Sequence, residues 1–150
     1  MNQFLKDALN RHLDETMPII SQLDDLSILK VPYEGGRPIG DIVLHMIRSL
    51  EFYLTGLALG SWKPLSYSLE EYSSGASIKK LAQDVFDKAR NLVDQMDRID
   101  LSQTNDSFSR PATLAELMLE VIEHSIHHRG QLTVYYRLLG IDVPDIQYIV

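Results

Sequence analysis

The chain has 150 residues, of which 45% are hydrophobic and 23% are charged, so it is neither a disordered tail nor a collagen-like fibre. With 14 basic and 21 acidic residues its formal net charge is −7, which disfavours nucleic acid phosphates as partners. Because it contains no cysteine, it has no disulfide, cysteine-ligated metal or nucleophilic thiol of its own. We expect a single domain over residues 1–150.

Two helices are predicted in the first part of the chain, from apolar residues spaced three and four apart. The first carries Pro18 within its periodic run, so a kink or an early end is expected near Thr16. The second begins near Pro38, whose ring suits the first turn of a helix, and Gly60 is expected to end it.

Two further helices are predicted in the second part. The third has the clearest amphipathic pattern, with Ser77 as its expected N-cap. The fourth starts at a capping box formed by Thr113 and Glu116 and stops before Gly140, a length of about 26 residues or roughly 39 Å. Long polar connectors allow the chain to cross the bundle rather than form tight hairpins. The predicted fold is an all-α four-helix bundle.

The N-terminus turns acidic within its first seven residues and lacks the apolar segment of a signal peptide. No apolar run is expected to come near the roughly 20 residues that a membrane span needs. The sequence therefore predicts a cytoplasmic protein with no membrane partner.

Histidines are the main candidates for chemistry. His124 and His128 lie one turn apart on a seam of the fourth helix that begins and ends in apolar residues, whereas His127 lies at the flank. His45 lies in the middle of the second helix. His12 is expected to be a partly exposed surface residue.

A core histidine with hydrogen-bonded nitrogens is the commoner alternative for His45 taken alone. Two neutral imidazoles on one seam leave several polar nitrogens to satisfy, and a divalent ion would satisfy them. Three protein ligands with an open position are typical of catalytic metal sites. The pattern is not that of a zinc protease, because Ser125 follows His124 where that motif needs glutamate.

Three other residues are weaker candidates. Arg129 could hold a substrate carboxylate, with surface ion pairing as the alternative. Tyr53 could line a pocket about two turns beyond His45, although aromatic residues at helical spacing are more often core. Glu120 precedes His124 by four residues and could accept its free N–H. No residue is identified as catalytic or as a general base.

The segments around the histidines are similar to those of a known family. The run His-Ser-Ile-His-His-Arg-Gly-Gln-Leu at 124–132, followed by Tyr-Arg-Leu-Leu-Gly at 136–140 and by Pro144, resembles the signature of the DinB/YfiT-like family. The run Pro-Ile-Gly-Asp-Ile-Val-Leu-His-Met at 38–46 resembles the family's other ligand segment. The resemblance covers nearly the whole chain.

This resemblance implies a four-helix bundle with an up-down-down-up course. It also implies a divalent ion, typically nickel or zinc, held by His45, His124 and His128. Members of the family often pair as homodimers, and characterised relatives include transferases and isomerases that use low-molecular-weight thiols such as bacillithiol, mycothiol or glutathione.

Three functions are compatible with these observations. The first is a metal-dependent transferase acting on a small molecule, for which the absence of cysteine fits a thiol supplied from outside. The second is a hydrolase in which the ion lowers the pKa of a bound water towards ~7. The third is a non-catalytic, dimeric metal-binding protein of a stress response, although structural sites usually have four protein ligands and no fourth is evident.

Overall fold

Four long helices account for most of the molecule. The computed structural model describes residues 3–106 and 108–146. The helices are α1 (Gln3–Ser21), α2 (Ile39–Leu59), α3 (Gly75–Gln95) and α4 (Leu114–Leu139). Short 3₁₀ turns lie at Ser27–Leu29 and Met96–Arg98, and a two-stranded antiparallel pair, β1 (Thr104–Asn105) and β2 (Ala112–Thr113), precedes α4. The prediction of an all-α four-helix bundle is confirmed.

Contacts between helix ends give the direction of α1 relative to its two neighbours. Lys6, near the start of α1, contacts Asp94 at the end of α3 at 2.8 Å, so α1 and α3 are antiparallel. The Tyr136 hydroxyl, late in α4, donates to the carbonyl of Ile19, late in α1, at 2.9 Å. Helices α1 and α4 therefore run in parallel.

The direction of α2 follows in the same way. Tyr33, just before α2, contacts Tyr135 near the end of α4, whereas Tyr53, late in α2, shares a hollow with Glu120 near the start of α4. Helices α2 and α4 are thus antiparallel, and α2 packs against α3 and α4, as α1 does. The course is up-down-down-up, and the connector over residues 60–74 carries the chain between the parallel helices α2 and α3.

Capping residues set where α3 and α4 begin. The Ser74 hydroxyl accepts a hydrogen bond from the Ser77 backbone N–H at 3.1 Å, so α3 starts earlier than expected and the prediction of Ser77 as N-cap is wrong. Ser77 instead closes the capping box, because its hydroxyl accepts from the Ser74 backbone N–H. The predicted box of Thr113 and Glu116 is confirmed, and Gly140 ends α4 with φ +67°.

Helix α1 continues through Pro18 to Ser21, so the expected early end is wrong. Ile19 and Ile20, which follow the proline, are fully buried. Burying each isoleucine is worth roughly 1.5–3 kcal/mol, and the pair together offset the ~3 kcal/mol that a proline inside a helix costs.

Helix α2 is the core helix of the bundle. It is long and apolar enough to cross a membrane by length and composition alone, contrary to the expectation that no such run exists. More than half of its most apolar stretch is buried against the other helices. We therefore interpret its apolar composition as core packing.

A close approach at Gly56 lets the only tryptophan of the chain pack on α2. A Cβ at Gly56 would lie 2.2 Å from an atom of the Trp62 ring. Gly56→Ala is expected to lower the free energy of unfolding by about 1 kcal/mol, because overpacking costs roughly 1–3 kcal/mol and the gain in helix propensity returns about 1 kcal/mol. Urea unfolding followed by Trp62 fluorescence measures this.

Gly130→Ala is the matched control, because a Cβ at that helical glycine meets nothing within 4 Å. It is expected to leave stability unchanged or to raise it by up to about 1 kcal/mol. Equal effects of the two substitutions would contradict the assignment of a steric role to Gly56.

A polar cluster is buried between α1 and α4. Arg129 is 7% exposed, and its guanidinium donates to Glu15 Oε2 at 2.6 Å and to His12 Nδ1 at 3.3 Å. His12 is 3% exposed, so the expectation of a surface histidine is wrong. It lies on the inner face of α1 beside the fully buried Leu13, where α4 covers it. Burial and the Arg129 charge lower the pKa of His12 to about 3.

This depressed pKa makes the stability of the metal-free protein pH-dependent. The stabilisation is complete above the ordinary histidine value of 6.5 and is lost as the pH falls from 6.5 towards 3, because only the unfolded chain binds the proton in that interval. The contribution of His12 to the slope of the unfolding free energy against pH is at most about 1.4 kcal/mol per pH unit. Urea unfolding at several pH values between 7 and 5 should give a shallower slope for His12→Asn, whose amide oxygen can still accept from Arg129; an unchanged slope would contradict a neutral buried His12.

Candidate metal centre

Three histidine side chains meet between α2 and α4. The Nε2 atom of His124 lies 3.2 Å from Nε2 of His45 and 3.2 Å from Nε2 of His128. One ring nitrogen from each of the three lies within 4.8 Å of the others. Two imidazole nitrogens bound tetrahedrally to an ion at 2.0–2.1 Å are about 3.3 Å apart, so the spacing fits shared ligation. This group of three histidines could hold a metal ion.

The register of α4 produces this arrangement. His128 is buried and His124 is half-buried, one turn apart on the side of α4 that faces α2. The neighbouring row of α4, which includes His127, is exposed at every position; it consists of Glu120, Glu123, His127, Gly130 and Val134. The structure therefore brings together the same three histidines that the register and the family resemblance indicated.

The three imidazoles are neutral at physiological pH. Burial lowers the pKa of His45 to about 4, with smaller contributions from His128 and from the Arg48 and Arg37 charges. Burial likewise lowers the pKa of His124 to about 4. The pKa of His128 is also lowered, chiefly by burial. Neutral imidazole is the form that binds a metal ion.

A side-chain amide holds His128 in the orientation that a ligand needs. The His128 Nδ1–H donates to Gln131 Oε1 at 2.9 Å, which leaves the lone pair of Nε2 directed at the cluster. Gln131 in turn donates to the Tyr135 hydroxyl at 3.3 Å, and Tyr135 donates to the exposed Tyr33 at 3.0 Å. Such outer hydrogen bonds commonly fix the ring and tautomer of a metal-binding histidine.

Arg48 lies on the other side of the cluster. Its Nη2 is 3.2 Å from Nδ1 of His45, and its Nη1 donates to the backbone oxygen of Tyr67 at 3.1 Å. A guanidinium only donates, so His45 Nδ1 is an acceptor here and its hydrogen is on Nε2. A neutral His45 that held an ion through Nε2 would carry its hydrogen on Nδ1, and Arg48 would then no longer donate to it.

A family model described as the DinB family matches residues 1–150. The chain belongs to the DinB family. Two proteins of Bacillus subtilis strain 168, both described as uncharacterized, are similar to it in sequence. YjoA is 27% identical over 142 residues, which are 93% of this chain and 90% of YjoA. YrdA is 25% identical over 151 residues, covering 97% of this chain and 87% of YrdA.

Solved structures show the same DinB fold. A DinB-like protein from Bacillus cereus ATCC 10987 matches with a TM-score of 0.78 at 24% sequence identity, over 97% of each chain. The DinB-like protein YjoA from Bacillus subtilis matches with a TM-score of 0.80 at 22% identity, over 99% of this chain and 100% of that one. At these identities the likeness shows the fold alone.

Glu120, the expected hydrogen-bond acceptor for His124 in this DinB chain, accepts no hydrogen bond from it. His124 Nδ1 is buried and has no hydrogen-bond partner among the residues that the structure describes, so the prediction that Glu120 accepts from it is wrong. Glu120 belongs to the exposed row of α4, whereas His124 Nδ1 is buried. Glu120 instead lines a hollow of about 200 Å³ together with Tyr53 and Phe108.

Tyr53 is half-buried beside this hollow. Its ring stacks on Phe108 with centroids 6.1 Å apart, and burial together with the Glu120 charge raises its pKa. This placement agrees with a pocket-lining residue, and substrate binding by Tyr53 stays a prediction.

Arg129 of the DinB-like signature has contacts different from those expected of a substrate-binding residue. Its guanidinium is occupied by Glu15 and His12 of α1, as described above. It joins two helices, and its contacts among the described residues do not include the three-histidine cluster. Substrate binding by Arg129 stays a prediction.

Two residues that contact the cluster, Arg48 and Gln131, were not predicted from the sequence. Arg48 follows His45 by three residues, and Gln131 follows His128 by three residues. One turn of helix separates each pair, so their proximity was available from spacing. Which of the several polar residues one turn away makes contact depends on rotamers and on the neighbouring helix.

Proposed function

We propose that this DinB-family protein is a divalent-metal-dependent transferase that joins an external low-molecular-weight thiol to an electrophilic small molecule. The observation that carries the proposal is the convergence of three neutral imidazoles, each within reach of one point, in a chain that has no cysteine. A set of three protein ligands leaves a position open for a further ligand, as catalytic sites do.

His45, His124 and His128 would hold the ion, with nickel and zinc as the candidates. When bound, it would supply Lewis acidity that lowers the pKa of a coordinated thiol, because three neutral ligands leave its charge uncompensated.

The chain's own residues would prepare the site for an anionic sulfur. Gln131 holds His128 with its Nε2 lone pair towards the cluster, and the Arg48 guanidinium adds a positive charge beside His45. In the transfer, the thiol proton passes to solvent and the sulfur forms a bond to an electrophilic carbon. The leaving group departs with the electron pair of the bond that breaks. A thiolate is favoured over a thiol beside such positive charges.

The test measures thiol consumption and product formation with bacillithiol and with glutathione, each with several electrophilic acceptors. Protein loaded with nickel or zinc is compared with the chelator-treated protein and with the His124→Ala and His127→Ala variants. We expect thiol-dependent product with the loaded parent and with His127→Ala, and none with the other two.

Equal rates with and without metal, for every thiol and acceptor, would overturn the transferase proposal. Incorporation of labelled solvent oxygen into a product in the absence of thiol would assign the hydrolase function instead. The homodimer and the cytoplasmic location stay predictions; sedimentation velocity measures the first.

A further inference from the structure

A second hollow lies beside Arg48, the arginine that contacts the three-histidine cluster. It has a volume of about 240 Å³ and is formed by α2 and the connector that follows it; its lining residues are Arg48, Ser49, Phe52, Pro64 and Leu65. Arg48 belongs to both places, because its Nη2 lies 3.2 Å from Nδ1 of the candidate ligand His45. Arg48 therefore links the hollow to the candidate metal centre.

The positive charge of Arg48 has no carboxylate partner among the described residues. Its hydrogen-bond partners there are the backbone oxygen of Tyr67 and the imidazole of His45. The nearby Glu51 is engaged elsewhere, since it accepts from the Tyr67 hydroxyl at 2.5 Å and from Lys88 at 2.6 Å. A half-buried guanidinium without a counter-charge, in a chain of net charge −7, favours an anionic ligand.

The remaining walls of the hollow are mostly apolar. Phe52, Pro64 and Leu65 provide an aromatic ring and aliphatic surface. A hollow of this size is smaller than the roughly 300–1,000 Å³ of sites for drug-sized molecules, so it suits a small compound.

The guanidinium also has hydrogen-bonding capacity left. Of its five N–H groups, two are used by Tyr67 and His45. The contact with His45 ends when that imidazole carries its hydrogen on Nδ1, which is the tautomer that binds an ion through Nε2. Three N–H groups therefore remain for a ligand in the metal-free protein, and a fourth becomes free when His45 holds an ion.

We propose that this hollow binds a small, largely apolar compound that carries a carboxylate, with Arg48 as the residue that recognises the anion. This proposal deepens the proposed function. It rests on that function in one respect, because it assigns the hollow to the electrophilic acceptor and not to the thiol. Phe52, Pro64 and Leu65 would hold the apolar part of the compound next to the histidines.

The test uses para-fluorobenzoate as probe and its neutral counterpart para-fluorobenzamide, with binding followed by fluorine NMR on the chelator-treated protein. Removal of metal ensures that the carboxylate does not bind to an ion instead of to Arg48. We expect the parent to bind the benzoate at least 10-fold more tightly than the benzamide. Arg48→Met should weaken benzoate binding about 10- to 100-fold, the range for a charge-assisted hydrogen bond, and should leave benzamide binding nearly unchanged.

Three further variants make the result specific. Arg48→Lys, which keeps the charge, should retain part of the preference for the benzoate. Arg137→Met removes an exposed arginine of α4 and should change nothing. Leu65→Trp fills the hollow while Arg48 itself is kept, and it should weaken the binding of both probes. It therefore tests the location of the site even if Arg48→Met does not fold.

The inference would be overturned if a folded Arg48→Met bound the benzoate as tightly as the parent does. It would also be overturned if Leu65→Trp left benzoate binding unchanged. The outcome is separate from that of the proposed function. Arg48-dependent benzoate binding in a protein that takes up no metal would support this subsite and remove the metal-dependent transferase.

Discussion

Replacing His124 with alanine is expected to abolish stable binding of a divalent ion. The Nε2 atom of His124 is the common neighbour of the other two histidines, at 3.2 Å from each. Loss of a ligand should cost more than the roughly 10–100-fold in metal affinity that loss of an outer hydrogen-bonding partner costs. Metal content per chain by mass spectrometry, and zinc competition against a coloured chelator, measure the effect.

His127→Ala is the matched control, since His127 lies on the same helix but is exposed. We expect about one ion per chain in the parent and in this control, and none in His124→Ala. Absence of metal in the parent after incubation with nickel and zinc would contradict the site, and the three histidines would then be core residues. Far-UV circular dichroism after chelation should show a folded bundle, whereas unfolding on chelation would indicate a structural ion.

Replacing Glu15 with glutamine is expected to lower the free energy of unfolding by about 3 kcal/mol. Glu15 neutralises Arg129 at 2.6 Å, and the Arg129 side chain is only 8% exposed. Removal of one member of a buried ion pair leaves an uncompensated buried charge, at a cost of roughly 3–5 kcal/mol. We expect the lower end of this range because the Glu15 side chain is 19% exposed, which lets water reach the pair. Urea unfolding at pH 7 provides the measurement.

A double-mutant cycle separates the charge effect from packing. Arg129→Met removes the buried charge itself, so Glu15→Gln should cost much less in that background. Glu123→Gln, at an exposed position of α4, should change stability by less than about 0.5 kcal/mol. If Glu15→Gln behaved like Glu123→Gln, the pair would not be a stabilising link between α1 and α4.

Local sequence patterns were sufficient for the helices and for the ends of α2 and α4. The start near Pro38, the capping box at Thr113 and the stops at Gly60 and Gly140 depend on residues within a few positions of each other, and all are found as predicted. The inward direction of His124 and His128 follows from the period of the helix, which a single sequence displays. These features need no knowledge of the neighbouring helices.

Features that depend on packing between helices were predicted poorly. Pro18 stays inside α1 because Ile19 and Ile20 reach the core. The rule that proline ends a helix considers one helix alone and does not include the free energy gained by burying these two residues. His12, between Arg11 and Leu13, was expected to be a partly exposed surface residue, yet α4 covers it.

The same distinction applies to the site. The sequence alone was enough to select the three histidines, since the spacing within α4 indicated His124 and His128 and the resemblance to a known family indicated these two and His45. It could not show that Arg129 would be bound to Glu15, 114 positions away in the chain. A side chain's own helix determines the direction in which it leaves the backbone. Its contact partner depends on which residue of a neighbouring helix packs against it in the bundle. Only the tertiary structure therefore decided that Arg129 is neutralised by a carboxylate of another helix and that Arg48 has its positive charge beside the histidines.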